Sequence, residues 1–317
     1  MRAPKRDIAA SVAARLLNRA KETGDEYQNL LTAYALERFL YRLSRSDRSK
    51  RFVLKGALLL RVWTEKPYRG TRDLDLLRLG DRADDAVRDD VRAICEVAAE
   101  PDGIVFDADS LGIEPIRVQD EYAGTRVSLQ AHCGSARLRL QIDLGASDSV
   151  WPPPQLRVYP SLLDFPAPEL LVYPREAVVA EKLEAMLVLG DRNSRIKDFF
   201  DLHHLASRFP FDRSTLVEAI RRTLARRATP IPTEAPIGLT PLYWENPSRP
   251  TQMRAFTKRS GLAVPADPAR EIGELVTAFL LPVVEGLRGD APTEATWPPG
   301  GPWQPGARSE KENTGSE

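Results

Sequence analysis

The sequence predicts an α+β protein of two lobes: an N-terminal mixed or antiparallel sheet flanked by helices, then a helical lobe. Three observations carry this. Short runs that alternate apolar with polar residues are confined to the chain before about residue 150, and a period of two marks strands. From Pro174 onward apolar residues recur at helical spacing in AVVAEKLEAMLVL, IKDFFDLHHLAS, STLVEAIRRTLARR and EIGELVTAFLLPVVEGL. Between the two lies SVWPPPQLRVYPSLLDFPAP, whose prolines can neither donate to a ladder nor continue a helix. The expected division is therefore a sheet lobe at 1–150, an irregular connection at 151–173 and a helical lobe at 174–288. Residues 289–317 are mostly Gly, Pro, Ser, Thr and Glu with isolated Trp297 and Trp303, a composition that predicts a disordered tail.

Within the first lobe, residues 6–23 and 25–45 carry apolar side chains at helical spacing, with Ile8, Val12 and Leu16 on one stripe and Leu30, Leu31, Tyr34 and others on the next. RFVL reads as a short strand that Gly56 ends, ALLLRVW resumes a helix, and TEKPYRG is a loop before the strand LDLL. An acidic helix follows at about 82–100. IVF, IEPIRV, RVSLQAH and ARLRLQIDLG are then antiparallel strands, the last two flanking a Cys-Gly-Ser turn.

The 317 residues contain 45 Lys+Arg and 45 Asp+Glu, so a uniformly basic nucleic-acid coat is excluded. The charge is nonetheless segregated. Residues 1–72 hold 17 Lys/Arg against 7 Asp/Glu, whereas 73–120 hold 5 against 14. Cys95 and Cys133 are too few for a disulfide scaffold and form no C-x-x-C pair, and no stretch reads as an export signal or a membrane span. A cytoplasmic location is expected.

Asp73 and Asp75 flank Leu74 in TRDLDLL, and residues i and i+2 of a strand share a face. Two carboxylates that close repel unless a cation lies between them, and hard oxygen donors suit Mg²⁺ or Mn²⁺. Asp143, on the polar face of LRLQIDLG, is a candidate third metal ligand from another strand. Gly56 stands where a strand turns into a helix, a place where backbone amides attract phosphate. Thr71 lies two residues before Asp73 with a hydroxyl that can meet phosphate or be modified. Lys182 falls among apolar residues of the first C-terminal helix, and Arg195, Asp198 and Asp201 share a face of the next. Taken singly, each has an ordinary counterpart: a strand edge, a turn glycine, a snorkelling lysine, a helix-face ion network. His203 and His204 are adjacent and so point apart on a helix, a poor spacing for a shared metal.

The order KGALLLRVW, RGTRDLDLL, QIDLG, AEKLEAML, RIKDFFDL resembles the AbiEii/AbiGii-type nucleotidyltransferase toxins of the DNA-polymerase-β-like superfamily, over about Phe52 to Leu205. The resemblance implies metal-dependent transfer of a nucleoside monophosphate from an NTP to an acceptor hydroxyl. It assigns Asp73 and Asp75 to the metal, Lys182 to the nucleotide phosphates and Asp198 to the later acidic position, with Asp201 the competing choice and Arg195 beside it. Gly56 matches the glycine of the first motif, and Lys55, Thr71 and Arg72 fall in the nucleotide-binding stretches. One departure is that Ala57 follows Gly56 where many relatives have serine, so phosphate binding there falls to backbone amides. Asp143 matches a third carboxylate that the family does not use uniformly. The resemblance further implies a cognate antitoxin partner, with Thr71 at a position open to silencing by phosphorylation.

For the acceptor, the resemblance points to RNA, foremost the 3′ end of tRNA. The basic bias of residues 1–72 and Arg221, Arg222, Arg226 and Arg227 offers cations for its phosphates. The competing readings are transfer to a protein or small molecule, and a non-catalytic module that binds nucleotide or a partner.

Overall fold

The computed structural model describes residues 7–64, 71–80, 83–116, 124–146, 150–263, 265–289 and 294–306. The chain divides into two compact units, Met1–Tyr173 and Pro174–Glu317.

The first unit opens with α1 (Ile8–Thr23) and α2 (Tyr27–Arg45). Asp7 caps α1 by accepting the Ala10 N–H at 3.0 Å, and Gly24 ends it with a left-handed φ of 76°. The stripe Val12, Leu16, Ala20 is buried, as its four-residue spacing requires. There follow β1 (Phe52–Lys55), α3 (Gly56–Trp63), β2 (Asp73–Arg78), α4 (Asp84–Cys95), β3 (Ile104–Ile116), β4 (Gly124–Cys133), β5 (Ala136–Ala146), β6 (Gln155–Val158) and β7 (Glu169–Val172). The part of the expected loop at residues 65–70 lies outside the described residues.

All seven strands form one mixed sheet in the order β3-β4-β5-β2-β1-β7-β6. The pairs β2–β5 and β1–β7 are parallel and the others antiparallel. Leu74, Leu76, Val127, Leu129, Leu140 and Ile142 are fully buried, which leaves the alternate residues of the same strands to the polar face. Two expected strands, IVF and IEPIRV, are one: β3 runs through with a register shift between Asp107 and Gly112. Pro115 is tolerated in it because β3 is an edge strand, with a side that needs no ladder donor.

Buried ion pairs tie the helices to the sheet. Asp90 of α4 accepts from Arg78 at 2.7 Å and from Arg51 at 2.9 Å, joining α4 to the end of β2 and the lead-in to β1. Arg42 of α2 grips Asp102 with both guanidinium nitrogens, at 2.8 and 3.2 Å, and Asp102 in turn caps the Ile104 N–H. Burying such charges is tolerable only because each oxygen has a donor.

The proline-rich stretch corrects the sequence expectation of an irregular connection, since it contributes β6 and β7 to the sheet. The physical reason is local. QLRV and ELLV contain no proline, so their ladder donors are intact, and the prolines fall outside the strands. Between the strands the backbone is held by α2: Leu162 N–H donates to Glu37 at 2.6 Å, and Arg38 donates to the Pro166 carbonyl at 2.9 Å.

The second unit contains α5 (Arg175–Leu189), α6 (Ile196–Arg208), β8 (Phe211–Asp212), α7 (Arg213–Arg226), α8 (Pro241–Glu245), α9 (Arg249–Ser260), α10 (Glu274–Arg288), β9 (Ala295–Trp297) and β10 (Gln304–Pro305). The helical expectation holds for its body, and the expected disorder from 289 does not hold for residues 294–306. β9 pairs with β8 and β10 in a small antiparallel sheet. Trp297 is 1% exposed and donates its indole N–H to the Ala206 carbonyl at 2.7 Å. Trp303 lies parallel to the Phe279 ring and donates to its carbonyl at 2.9 Å, with the Arg213 guanidinium 4.9 Å from the indole centroid. Average composition hides this because two indoles bury as much apolar area as several smaller side chains. Residues 307–317, also expected to be disordered, lie outside the described residues.

Trp297→Ala is expected to destabilise the protein by about 3–5 kcal/mol, the usual cost of truncating a fully buried aromatic side chain. Urea unfolding followed by circular dichroism checks it, and a loss below about 1 kcal/mol would contradict the packing described.

Candidate active site

Asp73 opens β2 and Asp75 follows on the same face, while Leu74 and Leu76 point into the core. Asp73 is exposed and Asp75 half-buried. Before them, Thr71 makes a tight turn in which its hydroxyl accepts the Asp73 N–H at 3.3 Å.

Gly56 is the first residue of α3 and has φ +69°, a left-handed backbone that suits glycine. A Cβ added there would run into the Asp75 carboxylate. The β1–β2 pairing explains this closeness. Lys55 stands opposite Asp75, so the turn from β1 into α3 delivers the helix N-terminus to the carboxylate. That end carries unsatisfied amide donors and the positive pole of the helix dipole, both favourable to an anion. Lys55 Nζ also lies 5.2 Å from the Tyr173 ring centroid.

The sheet register extends the site sideways. β2 runs parallel to β5 with Asp75 beside Asp143 and Asp73 beside Gln141, and β4 adds Arg126 beside Asp143 and Ser128 beside Gln141. One row across the sheet thus reads Lys55, Asp75, Asp143, Arg126, Glu114. Arg126 binds both oxygens of Asp143, at 2.8 and 2.9 Å. Its hydrogen bonds to Asp143 and the nearby charges of Asp73 and Glu114 push the Arg126 pKa above its ordinary value, against the opposing effect of burial. The expected third metal ligand is therefore an arginine's partner here. Among the described residues no three His, Cys, Asp or Glu side chains converge as a metal-binding group.

Sequence reasoning missed Arg126, although a signal existed. Counting outward from the Gly134–Ser135 turn pairs residue 126 with 143, and opposite charges on facing positions of a hairpin seek each other. Arg72, expected at the nucleotide, donates to Asn29 of α2 at 2.8 Å and to Glu26, just before that helix, at 3.3 Å.

In the second unit α5 and α6 bring Lys182 to both candidate aspartates. Its Nζ donates to Asp198 at 2.7 Å and Asp201 at 2.8 Å, and Arg195 donates to the other Asp198 oxygen at 2.7 Å. Both Asp198 and Asp201, the two competing acidic positions, are partners of the lysine. Burial alone would lower the Lys182 pKa, but the two carboxylates outweigh it and raise it. Burial would likewise raise Asp198, but Lys182 and Arg195 hold it below the ordinary carboxylate range. Lys182 is accordingly charged at neutral pH, with only 14% of its side chain exposed. The arginines expected to serve RNA are largely engaged: Arg221 and Arg222 pair with Glu218, and Arg227 with Glu184 and Glu181.

The first unit thus holds a strand-borne carboxylate pair beside a glycine-started helix, and the second unit a helical lysine–aspartate group. The sequence profile of the AbiEii nucleotidyl transferase toxins of type IV toxin–antitoxin systems matches residues 38–276. The chain belongs to this family. It is thereby a nucleotidyltransferase toxin, for which a nucleotide substrate and an antitoxin partner are family attributes. Among solved structures it is similar to JHP933 from Helicobacter pylori, at 14% identity and a TM-score of 0.41, covering 83% of this chain and 95% of that one. It is also similar to a protein described as a candidate nucleotidyltransferase from H. pylori, at 15% identity and a TM-score of 0.41, covering 83% and 98% of the two chains. No curated protein matches the sequence. Among the described residues no helix is long and apolar enough to cross a membrane.

The donor set at β2 fits a divalent cation. Mg²⁺ takes one or two carboxylates and completes its shell with water and substrate phosphate, and Asp73 and Asp75 offer two such carboxylates on one face. Asp75 is moreover seated in the space left by the missing Gly56 side chain.

Because the Asp198 carboxyl is held below its ordinary pKa of 3.8, its ionised form stabilises the fold above that value. That contribution disappears as pH falls through the lower, folded pKa. Asp198→Asn, which leaves a buried ammonium one carboxylate short, is expected to cost about 3–5 kcal/mol at pH 7. The difference from the parent protein should shrink below pH 3.8, measured by denaturant unfolding across pH.

Proposed function

We propose that this toxin transfers a nucleoside monophosphate from an NTP to the 3′-hydroxyl of RNA, the tRNA acceptor end foremost. The observation that carries the reading is the Asp73–Asp75 pair on β2, with Asp75 pressed against Gly56 where α3 begins. In the step, the acceptor oxygen bonds to the α-phosphorus while the bond from it to the α–β bridging oxygen breaks. Pyrophosphate leaves with the electron pair, and the hydroxyl proton passes to solvent water.

Asp73 and Asp75 would hold Mg²⁺ or Mn²⁺. Such an ion, when bound, polarises the phosphoryl group and lowers the pKa of the attacking hydroxyl. The amides at the start of α3 receive the triphosphate, and Lys55, on the same face as Asp75, adds positive charge beside them. With alanine at 57 this binding rests on backbone donors. For Lys182 the proposal is neutralisation of phosphate charge, supported by the carboxylates of Asp198 and Asp201 that keep its Nζ protonated. Asp143 is left as the partner of Arg126.

Thr71 is the proposed control point. A phosphate on its hydroxyl would put about two negative charges next to the Asp73 backbone, opposing both nucleotide and carboxylates. Thr71→Glu is accordingly expected to reduce transfer, whereas Thr71→Val should retain most of it, in the assay below.

Purified protein is incubated with Mg²⁺, each α-³²P-NTP in turn and total tRNA, then resolved on a denaturing gel. Label on RNA that falls at least about a hundredfold in Asp73→Ala is expected, the scale on which removing one charge-stabilising group slows a reaction. An unchanged rate in that variant would sink the mechanism. Label on the protein itself or on a small molecule would reassign the acceptor.

A further inference from the structure

The two carboxylates of β2 look onto different surroundings. Asp75 abuts the start of α3. Asp73 borders a polar cleft of about 330 Å³ that includes neither Gly56 nor Asp75. Its walls come from α2, through Gln28 and Thr32, and from the polar faces of β4 and β5, through Ser128, Arg139 and Gln141. The volume falls in the range of small-molecule sites, about 300–1,000 Å³, and matches one nucleotide rather than a folded RNA.

The charges within the cleft are not equivalent. Arg126 is committed to Asp143 and also feels Glu114, and Arg72 is committed to Asn29 and Glu26. Arg139 is exposed, and its side chain has no hydrogen-bond or ion-pair partner among the described residues. It stands two residues before Gln141, which is in register with Asp73, so all three share the polar face of the sheet. Apart from the carboxylates of Asp73 and Glu114, the remaining lining groups are the amides of Gln28 and Gln141 and the hydroxyls of Thr32 and Ser128, which suit base edges and ribose hydroxyls. Room for the Ser128 hydroxyl exists because Gly112 on β3 has no side chain to meet it.

We infer that this cleft seats the last nucleotide of the acceptor RNA, with its phosphate on Arg139 and its 3′-hydroxyl at Asp73. The inference rests on the reaction proposed above, in which the triphosphate occupies the α3 side at Asp75. The carboxylate pair then separates two substrates: nucleotide on the Gly56 side, acceptor on the β4–β5 side. Arg139 is a binding residue for the acceptor alone.

The test uses the full chain and a 5′-fluorescein single-stranded RNA with a free 3′-hydroxyl, with binding read by fluorescence anisotropy. Arg139→Glu is compared with the parent and with Arg157→Glu. Arg157 is an exposed arginine on β6, at the far edge of the same sheet, and controls for net charge. Arg139→Glu is expected to weaken RNA binding about tenfold, the size of one lost charge-assisted contact, and to shrink the salt slope by about one. Arg157→Glu should change it less than about twofold, as surface charges remote from a site do. Arg139→Glu should leave the KM for NTP in the labelled-transfer assay within about the same margin.

RNA binding equal to the parent in Arg139→Glu would overturn the inference, whatever the transfer assay shows. So would a raised KM for NTP with RNA affinity unchanged, which would hand the cleft to the incoming nucleotide. Equal loss in both charge variants would also overturn it, by reducing the effect to overall charge. Absence of transfer by the parent protein to any acceptor would instead count against the reaction, with the binding comparison still deciding the cleft.

Discussion

The Asp75 carboxylate fills the space that a side chain at position 56 would need, and the organisation of the first unit follows from that exclusion. Only glycine accepts both the contact and the +69° φ, so β1 can turn into α3 at this point and no other residue type serves there. The antiparallel pairing of β1 with β2 fixes which carboxylate meets the helix. The parallel pairing of β2 with β5 then decides what lies on the other side of it. A one-residue slip in either ladder would turn the aspartates into the core and bring leucines to the polar face.

Both units face the same electrostatic difficulty and answer it alike. Carboxylates that leave water must find donors, and they find arginine or lysine with both oxygens occupied. Asp102 with Arg42, Asp90 with Arg78 and Arg51, and Asp198 with Lys182 and Arg195 are three such solutions. The Asp73–Asp75 pair differs in being two like charges on one strand face, half-buried at most. That contrast singles the pair out more clearly than its spacing does. The three structural carboxylates just named are buried with their cations, whereas Asp73 is exposed and Asp75 half-buried.

The fold class, the two N-terminal helices, the hairpin around Gly134 and the helical second unit could be read from periodicity and turn residues, since those signals are local. The candidate site was legible residue by residue but not as a network. Nothing local to Asp143 says that Arg126 holds it, because the pairing depends on hairpin register. Nor does the spacing of Asp198 and Asp201 say that one lysine takes both, since Lys182 comes from a different helix. Composition misled in two places for one reason. Proline content over residues 151–173 and low apolar content after 289 are averages, whereas QLRV, ELLV and the two tryptophans act as individuals.

The aromatic lid formed by Trp297 and Trp303 has a consequence for the order in which the protein is made. Translation delivers α10 before the segment that covers it, so Phe279 meets neither of its two indole partners until residues 297–303 have left the ribosome. The second unit, which holds the Lys182 cluster, thus completes its core only when synthesis has passed that point. A nascent chain stalled before it would present an uncovered aromatic surface to chaperones and proteases rather than a finished toxin.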